Sequence, residues 1–206
     1  MRAEVFVPSG QPGERLPLED ADIRFWPAAL AVAEASELLD RLMTEIDWRQ
    51  EEVLIFGQQR LVPRLVAWHG DSNAAYTYSG TSHEPLPWTP ALRAIKSRVE
   101  AITGHPFNSV LLNLYRDGRD GMGWHADDEE ELGREPAIAS VSFGEPRRFL
   151  LRHRRRTEAR SELLLGNGDV VLMAGPTQHH YVHAVPKTTR AAGERINLTF
   201  RWVLAR

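Results

Sequence analysis

The sequence predicts a mainly β fold, a jelly roll with helices packed on one of its sheets. Two observations lead there. Only two segments carry apolar residues at helical spacing, and both lie in the first half of the chain. From Phe107 onward the pattern is short alternating runs separated by Gly, Pro and Asn, which read as seven or more strands. Two helices followed by many short strands fit a β-sandwich or jelly roll with the helices on one face.

Taken in order, residues 1–24 hold Pro8, Gly10, Pro12, Gly13 and Pro17 and are expected to form an irregular N-terminal extension with at most an edge strand at Val5–Val7. Residues 25–206 are expected to form one domain, divisible at 106 into a mixed part and a strand-rich part. Ala31, Ala35, Leu38, Leu39, Leu42, Met43 and Ile46 make one face of a helix following Pro27. Val53–Gln59, Leu61–Trp68 and Ala75–Ser79 read as strands. Thr89 is placed to cap a second helix, with Pro90 at its first position, Leu92, Ile95, Val99 and Ile102 as its apolar stripe and Gly104 as its stop. The remaining strands are Phe107–Tyr115, Ile138–Phe143, Arg148–Arg152, Glu162–Leu165, Val170–Met173, Tyr181–Val185 and Ile196–Val203. Gly166-Asn167-Gly168-Asp169 reads as a hairpin turn.

Composition bounds the function. The chain has 206 residues, 42% hydrophobic and 26% charged, enough to bury a core. It contains no cysteine, which excludes disulfide scaffolds, thiol catalysis, iron–sulfur clusters and cysteine-ligated zinc. No run is long enough to span a membrane and no signal peptide is visible, so a cytoplasmic location is expected. Net charge is −3, unlike that of a protein that coats nucleic acid. The distribution is uneven, with an acidic run at Asp127–Glu131 and a basic run at Arg152–Arg156. Only Lys96 and Lys187 among the 25 basic residues are lysines. The rest are planar guanidinium forks suited to carboxylate and phosphate.

His125-Ala126-Asp127 puts an imidazole and a carboxylate on one face of an extended chain, where they can grip one cation. A third ligand must come from His153, His179, His180 or His183, and His183 shares a face with Tyr181 and Val185. Two histidines and one carboxylate suit non-haem Fe(II) and leave coordination positions open. Taken alone, the three-residue pattern is more often a surface histidine beside an acidic loop. In the last strand, Arg195, Asn197, Thr199 and Arg201 share one face, and Ile196, Leu198, Phe200 and Trp202 share the other. Asn113 and Tyr115 lie on one face of an earlier strand. Such groups make a cradle for a dicarboxylate, with a solvated edge strand as the alternative. His69, His83 and His105 are expected to face solvent, as are Glu130 and Glu131.

Five motifs in this order resemble the AlkB family of Fe(II)- and 2-oxoglutarate-dependent dioxygenases: Asn113-x-Tyr115-x-Asp117-Gly118, Gly123-x-His125-x-Asp127-Asp128-Glu129, Ile138–Gly144, His183-x-Val185-Pro186 and Arg195–Arg201. In the first half, Ile55-Phe56-Gly57, Pro63-Arg64, Tyr76–Gly80 and Pro87–Pro90 resemble the branch that repairs duplex DNA. The resemblance implies a double-stranded β-helix, with residues 25–106 as a nucleotide-recognition region and 107–206 as the Fe(II)/2-oxoglutarate core. It implies that His125, Asp127 and His183 hold iron and that Arg201 pairs with the distal carboxylate of 2-oxoglutarate. Asn113, Tyr115, Arg195 and Asn197 would complete the co-substrate's shell. Tyr78 and His125 would sandwich the damaged base with Glu129 beside it, and Phe56 would fill the stack the flipped base leaves. Apart from the resemblance, the basic run Arg152–Arg156 is a candidate strip for DNA phosphates, with Arg64 and Lys187 weaker candidates and a solvated loop as the alternative. The expected activity is oxidative demethylation of 1-methyladenine and 3-methylcytosine in DNA with Fe(II), 2-oxoglutarate and O2, by a monomer without membrane contacts. The alternatives are the same chemistry on RNA or a protein side chain, a non-catalytic metal-binding jelly-roll module, and a zinc hydrolase.

Overall fold

A computed structural model describes residues 4–7, 9, 11–55, 58–74, 76–78, 81–156, 158–190 and 192–204, with backbone only at 4–5, 53–55, 76–78 and 81–83. Two sheets face each other. The larger has seven strands in the order β2 (Glu14–Arg15), β3 (Asp22–Trp26), β14 (Val170–Ala174), β11 (Ile138–Gly144), β16 (Arg195–Arg201), β9 (Ser109–Tyr115) and β6 (Leu65–Gly70). The smaller has five, in the order β1 (Glu4–Val5), β13 (Arg160–Leu165), β12 (Arg147–His153), β15 (Tyr181–Val185) and β10 (Met122–His125). Pairing is antiparallel except between β1 and β13. β4 (Glu52–Ile55) with β5 (Gln58–Leu61), and β7 (Tyr76–Tyr78) with β8 (Thr81–His83), form separate two-stranded pairs. This is the jelly roll the sequence predicts.

Two helices cover the outer face of the large sheet. α1 (Val32–Glu45) buries Ala35, Leu38 and Leu42. In α2 (Pro90–Thr103), the Thr89 hydroxyl accepts a hydrogen bond from the Leu92 amide, and Gly104 ends the helix in the left-handed conformation. Beneath the helices lie Val110, Leu112 and Leu114 of β9, Ala139, Val141 and Phe143 of β11, and Ile196, Leu198 and Phe200 of β16. Every second residue of those strands therefore points into an apolar layer. The residues between them, including Asn113, Tyr115, Ser140, Ser142, Arg195 and Asn197, point between the two sheets. A second apolar cluster, with Phe149, Leu151, Leu163, Leu165, Val171 and Met173, fills the rest of that interior.

Four expectations need correction. The described part of residues 1–24 holds more strand than the one edge strand expected near Val5–Val7. β1 edges the small sheet, and β2 and β3 edge the large one, where Ile23 and Phe25 are buried. The Pro and Gly residues only separate strands too short to show an alternation. The Gly166–Asp169 turn does not make a hairpin, because β13 and β14 belong to different sheets. Turn chemistry reports the local bend and not which strands pair. His69 is buried on β6, with its Nδ1 2.7 Å from the Pro87 carbonyl oxygen. Glu131 is also buried.

Gly168 sits at φ +85°, and a Cβ there would lie 2.4 Å from the Leu30 carbonyl oxygen. That contact docks the sheet-to-sheet crossover on the residues leading into α1. Gly168→Ala should therefore destabilise the fold by at least ~2 kcal/mol through left-handed strain and the backbone clash together, read as a lower urea midpoint with an unchanged slope.

Candidate active site

β10 and β15 are neighbours at the edge of the small sheet, and the register puts His125 opposite His183. Their rings are 4.2 Å apart between centroids. Asp127 follows two residues after His125, and its carboxylate oxygen is 3.9 Å from His183 Nε2. One donor atom from each of His125, Asp127 and His183 lies within 4.8 Å of the others. Asp127 and His183 are buried. The three residues expected to form a metal centre therefore converge.

Several neighbours fix this group. The Asp127 backbone N–H donates to Gln178 Oε1 at 3.0 Å. Gln178 lies on the short helix α3 (Thr177–His180), whose Thr177 hydroxyl in turn accepts from the Asp22 amide. Arg154 reaches Asp128 at 2.6 Å and the Gln178 carbonyl at 3.2 Å. His125 Nδ1 is 2.9 Å from the Gly123 carbonyl. A carbonyl only accepts, so the proton sits on Nδ1 and Nε2 is left with its lone pair for a metal.

The charge states suit the same role. Burial pushes the Asp127 carboxyl up, but Arg201, His183 and His125 outweigh it and hold the group below its ordinary range, ionised. Arg201 Nη2 donates to Asp127 Oδ1 at 2.5 Å. Burial, with His125 and Arg201 adding to it, pushes His183 down to about 3, so its imidazole is neutral at physiological pH. One carboxylate and two imidazoles are the donor set of a non-haem Fe(II) site. Glu129 stands nearby with its carboxyl raised by burial, and its Oε2 has no hydrogen-bond partner among the described residues.

The cavity beside the triad is lined by Asn113, Tyr115, Ser140, Asn197, Thr199 and Arg201. The polar face of β16 is thus an interior wall. Asn197 Nδ2 donates to Ser140 Oγ at 2.7 Å, and Arg195 Nη2 donates to Ser142 Oγ at 2.9 Å. Arg195 is 1% exposed, and its Nε and Nη1 have no partner among the described residues. Its guanidinium carbon lies 5.2 Å from the centre of the Tyr115 ring. A buried guanidinium at the end of β16, against the Tyr115 ring, is costly unless an anion answers its charge.

The expected nucleic-acid contacts divide. Arg64 does not point outward. Its Nε donates to Asn113 Oδ1 at 2.6 Å, inside the cavity wall. Arg152 lies with its guanidinium 4.4 Å from the Trp124 ring centre. In the basic run after it, Arg154 is paired with Asp128, and Arg156 with Glu19 and Asp20. Phe56 lies outside the described residues, and so does the side chain of Tyr78. The sequence reading missed Gln178, Ser140 and Ser142. The two serines alternate with Ala139, Val141 and Phe143, which is the signal that could have found them.

A second group, Asp20, His153 and His180, also brings donor atoms together. Here the tautomer is wrong for a metal. His153 Nδ1 accepts from the backbone N–H groups of Arg155 and Arg156, at 3.1 and 3.0 Å. The proton of the neutral ring is therefore on Nε2, 3.6 Å from Asp20. This ring holds the Arg154–Arg156 turn against the N-terminal segment.

Residues 22–201 match the profile of the 2OG-Fe(II) oxygenase superfamily. The chain is 41% identical over 187 residues to the human alpha-ketoglutarate-dependent dioxygenase alkB homolog 3, covering 86% of this chain and 65% of that protein. It is 40% identical over 182 residues to the human DNA oxidative demethylase ALKBH2, covering 84% of this chain and 70% of that protein. The chain therefore spans 65% and 70% of the lengths of these two relatives. A solved structure titled as that of OsALKBH1 superposes with a TM-score of 0.67 at 15% identity, over 92% of this chain and 99% of the other, which supports the fold. The match over most of its length, together with a buried His-Asp-His triad beside a guanidinium-walled cavity, shows that the chain belongs to the 2OG-Fe(II) oxygenase superfamily and, within it, to the AlkB homologues.

Proposed function

We propose that the chain is an oxidative demethylase that repairs N-alkylated bases in DNA, with 1-methyladenine and 3-methylcytosine as its substrates. It acts as a cytoplasmic monomer built as one catalytic domain, with recognition in residues 25–106 and oxidation in 107–206. The observation that carries the oxidation chemistry is one cavity lined by an ionised carboxylate, two imidazoles and Arg201, with the buried guanidinium of Arg195 against the Tyr115 ring that forms part of its wall. The printed name of the human relative DNA oxidative demethylase ALKBH2 supports DNA demethylation. When bound, iron with 2-oxoglutarate and O2 supplies the oxidising power to hydroxylate the methyl C–H bond, yielding succinate, CO2 and, once the product falls apart, formaldehyde.

The chain's residues supply the rest. His125, Asp127 and His183 hold the metal on one side and leave positions open on the other. Glu129, a carboxyl with an unpartnered oxygen, suits a methylated base that carries positive charge. The small apolar surfaces of Phe149 and Met173 and the walls of β9 and β16 keep water from the cavity. A base that cannot pair leaves the duplex at lower cost than a normal one, which favours lesions.

The division of labour between the arginines differs from the expected one. Arg195 takes the distal carboxylate of 2-oxoglutarate and Arg201 stays with Asp127 at the metal end. Supporting this, Arg195 has two unpartnered donors and Arg201 is committed to the metal ligand. Arg64 is a positioning residue. By holding Asn113 Oδ1, it turns the amide N–H groups of Asn113 into the cavity, where they meet an anionic co-substrate.

Incubation of the chain with Fe(II), 2-oxoglutarate and an oligonucleotide bearing 1-methyladenine or 3-methylcytosine should remove one methylene equivalent per lesion by mass spectrometry, and Asp127→Ala should abolish this. No mass loss on single- or double-stranded DNA, with turnover on an RNA or peptide arm, would replace DNA as the substrate. Arg195→Met should raise KM for 2-oxoglutarate by ~100-fold with metal affinity kept, since hydrogen bonds to a charged group contribute ~1.5–3 kcal/mol each, while Arg201→Met should shift metal affinity instead. Arg64→Met should raise KM for 2-oxoglutarate by roughly 10-fold, Arg64→Lys less, and neither should alter the salt dependence of DNA binding.

A further inference from the structure

β10 carries a bulge between Met122 and His125, and there His125 points between the sheets toward the candidate metal centre while Trp124 is exposed. β10 is an edge strand, and Trp124 stands 44% exposed on its outer side. On β12, Leu151 lies opposite His183 and faces inward, and Arg152 faces outward beside Trp124. Its guanidinium lies 4.4 Å from the centre of the indole ring.

The aromatic contact sets this arginine apart from the ion-paired arginines of the segment. Arg148 is matched by Glu162, Arg154 by Asp128, and Arg156 by Glu19 and Asp20. Among the described residues, Arg152 has no carboxylate partner. Its cation lies over an aromatic face instead, and the side chain is half-buried. An exposed indole beside an unneutralised cation combines the two elements that grip a single-stranded nucleotide, a π surface for the base and a fork for the phosphate.

We propose that Trp124 and Arg152 form a platform for an unpaired nucleotide flanking the lesion, the base stacking on the indole and its phosphate meeting Arg152. This rests on the nucleic-acid substrate proposed above. The occupant is nucleic acid because a cation without a counter-charge on this face complements a phosphate. It is a neighbour of the target nucleotide because Trp124 directly precedes His125, one Cα spacing of ~3.8 Å from a metal ligand. It is unpaired because a base in a duplex has both faces covered by its own stack.

The test is a set of anisotropy titrations of an unmodified, labelled single-stranded DNA against the full chain over a range of salt. Trp124→Ala should weaken binding by ~10-fold, as loss of one stacked base predicts, without changing the salt slope. Arg152→Ala should weaken it and make the slope shallower by ~0.7, the share of one phosphate on a single strand. Equal affinities of Trp124→Ala and the unaltered chain would overturn the platform. Should Trp124→Ala fail to fold by its melting curve, Trp124→Phe decides the matter by fluorescence. Loss of the DNA-induced indole quench supports the platform, and an undiminished quench overturns it. If the unaltered chain binds and demethylates while Trp124→Ala binds equally well, only the platform is lost. If the unaltered chain binds no single-stranded DNA yet demethylates the lesion oligonucleotide, the platform falls and the proposed substrate stands; if it does neither, both fall.

Discussion

A carboxylate buried between two sheets is unstable unless its charge is answered, and Asp127 is the place where this fold meets that constraint. Removing its negative charge from water costs several kcal/mol. Arg201 at 2.5 Å, with the imidazoles of His183 and His125 beside it, compensates. The same burial that makes the carboxylate costly keeps the His183 ring neutral, and a neutral ring has a lone pair to give a metal. Most of the local structure follows from holding these groups still. Gln178 accepts from the Asp127 backbone amide, Arg154 ties the acidic loop to α3, and Gly123 sets the tautomer of His125.

The large sheet serves two environments with one alternation. Toward the helices, β9, β11 and β16 present Val, Leu, Ile and Phe, which exclude water and stabilise the sheet. Toward the small sheet, the same strands present Asn113, Tyr115, Ser140, Ser142, Arg195, Asn197 and Thr199. A polar interior of that kind would destabilise the protein if its groups were unpaired. Most are satisfied by one another, as in the Asn197–Ser140 and Arg195–Ser142 hydrogen bonds. The exceptions are two nitrogens of Arg195, behind the Tyr115 ring, and one of Arg201, which lines the cavity. Unsatisfied groups gathered at one place mark function more sharply than the polar face does.

Arginine-rich segments illustrate how much tertiary structure changes the meaning of charge. Arg152–Arg156 reads in sequence as a continuous basic strip. Folded, its members face different partners. Arg154 closes the metal loop, Arg156 binds the N-terminal segment, and Arg152 lies on an indole. Arg64 likewise turns inward to the amide of Asn113. Net charge near neutrality is the sum of these pairings, and only a few cations stay open to an anionic partner.

The amino-acid order by itself determined the elements whose signal is local and periodic. Both helices, with the Thr89 cap and the Gly104 stop, were legible, as were most strands, because side-chain spacing reports which face is buried. The metal triad was legible because two of its ligands sit two apart on one extended segment. Tertiary structure alone decided what depends on distant segments meeting. That includes the pairing of β1, β2 and β3, too short to show a pattern, and the passage of Gly166–Asp169 from one sheet to the other. It includes the burial of His69, the anchoring role of Gln178, and which arginine lies beside the metal. A side chain's partner across the fold is set by packing of the whole chain, and no residue carries that information in its own neighbourhood.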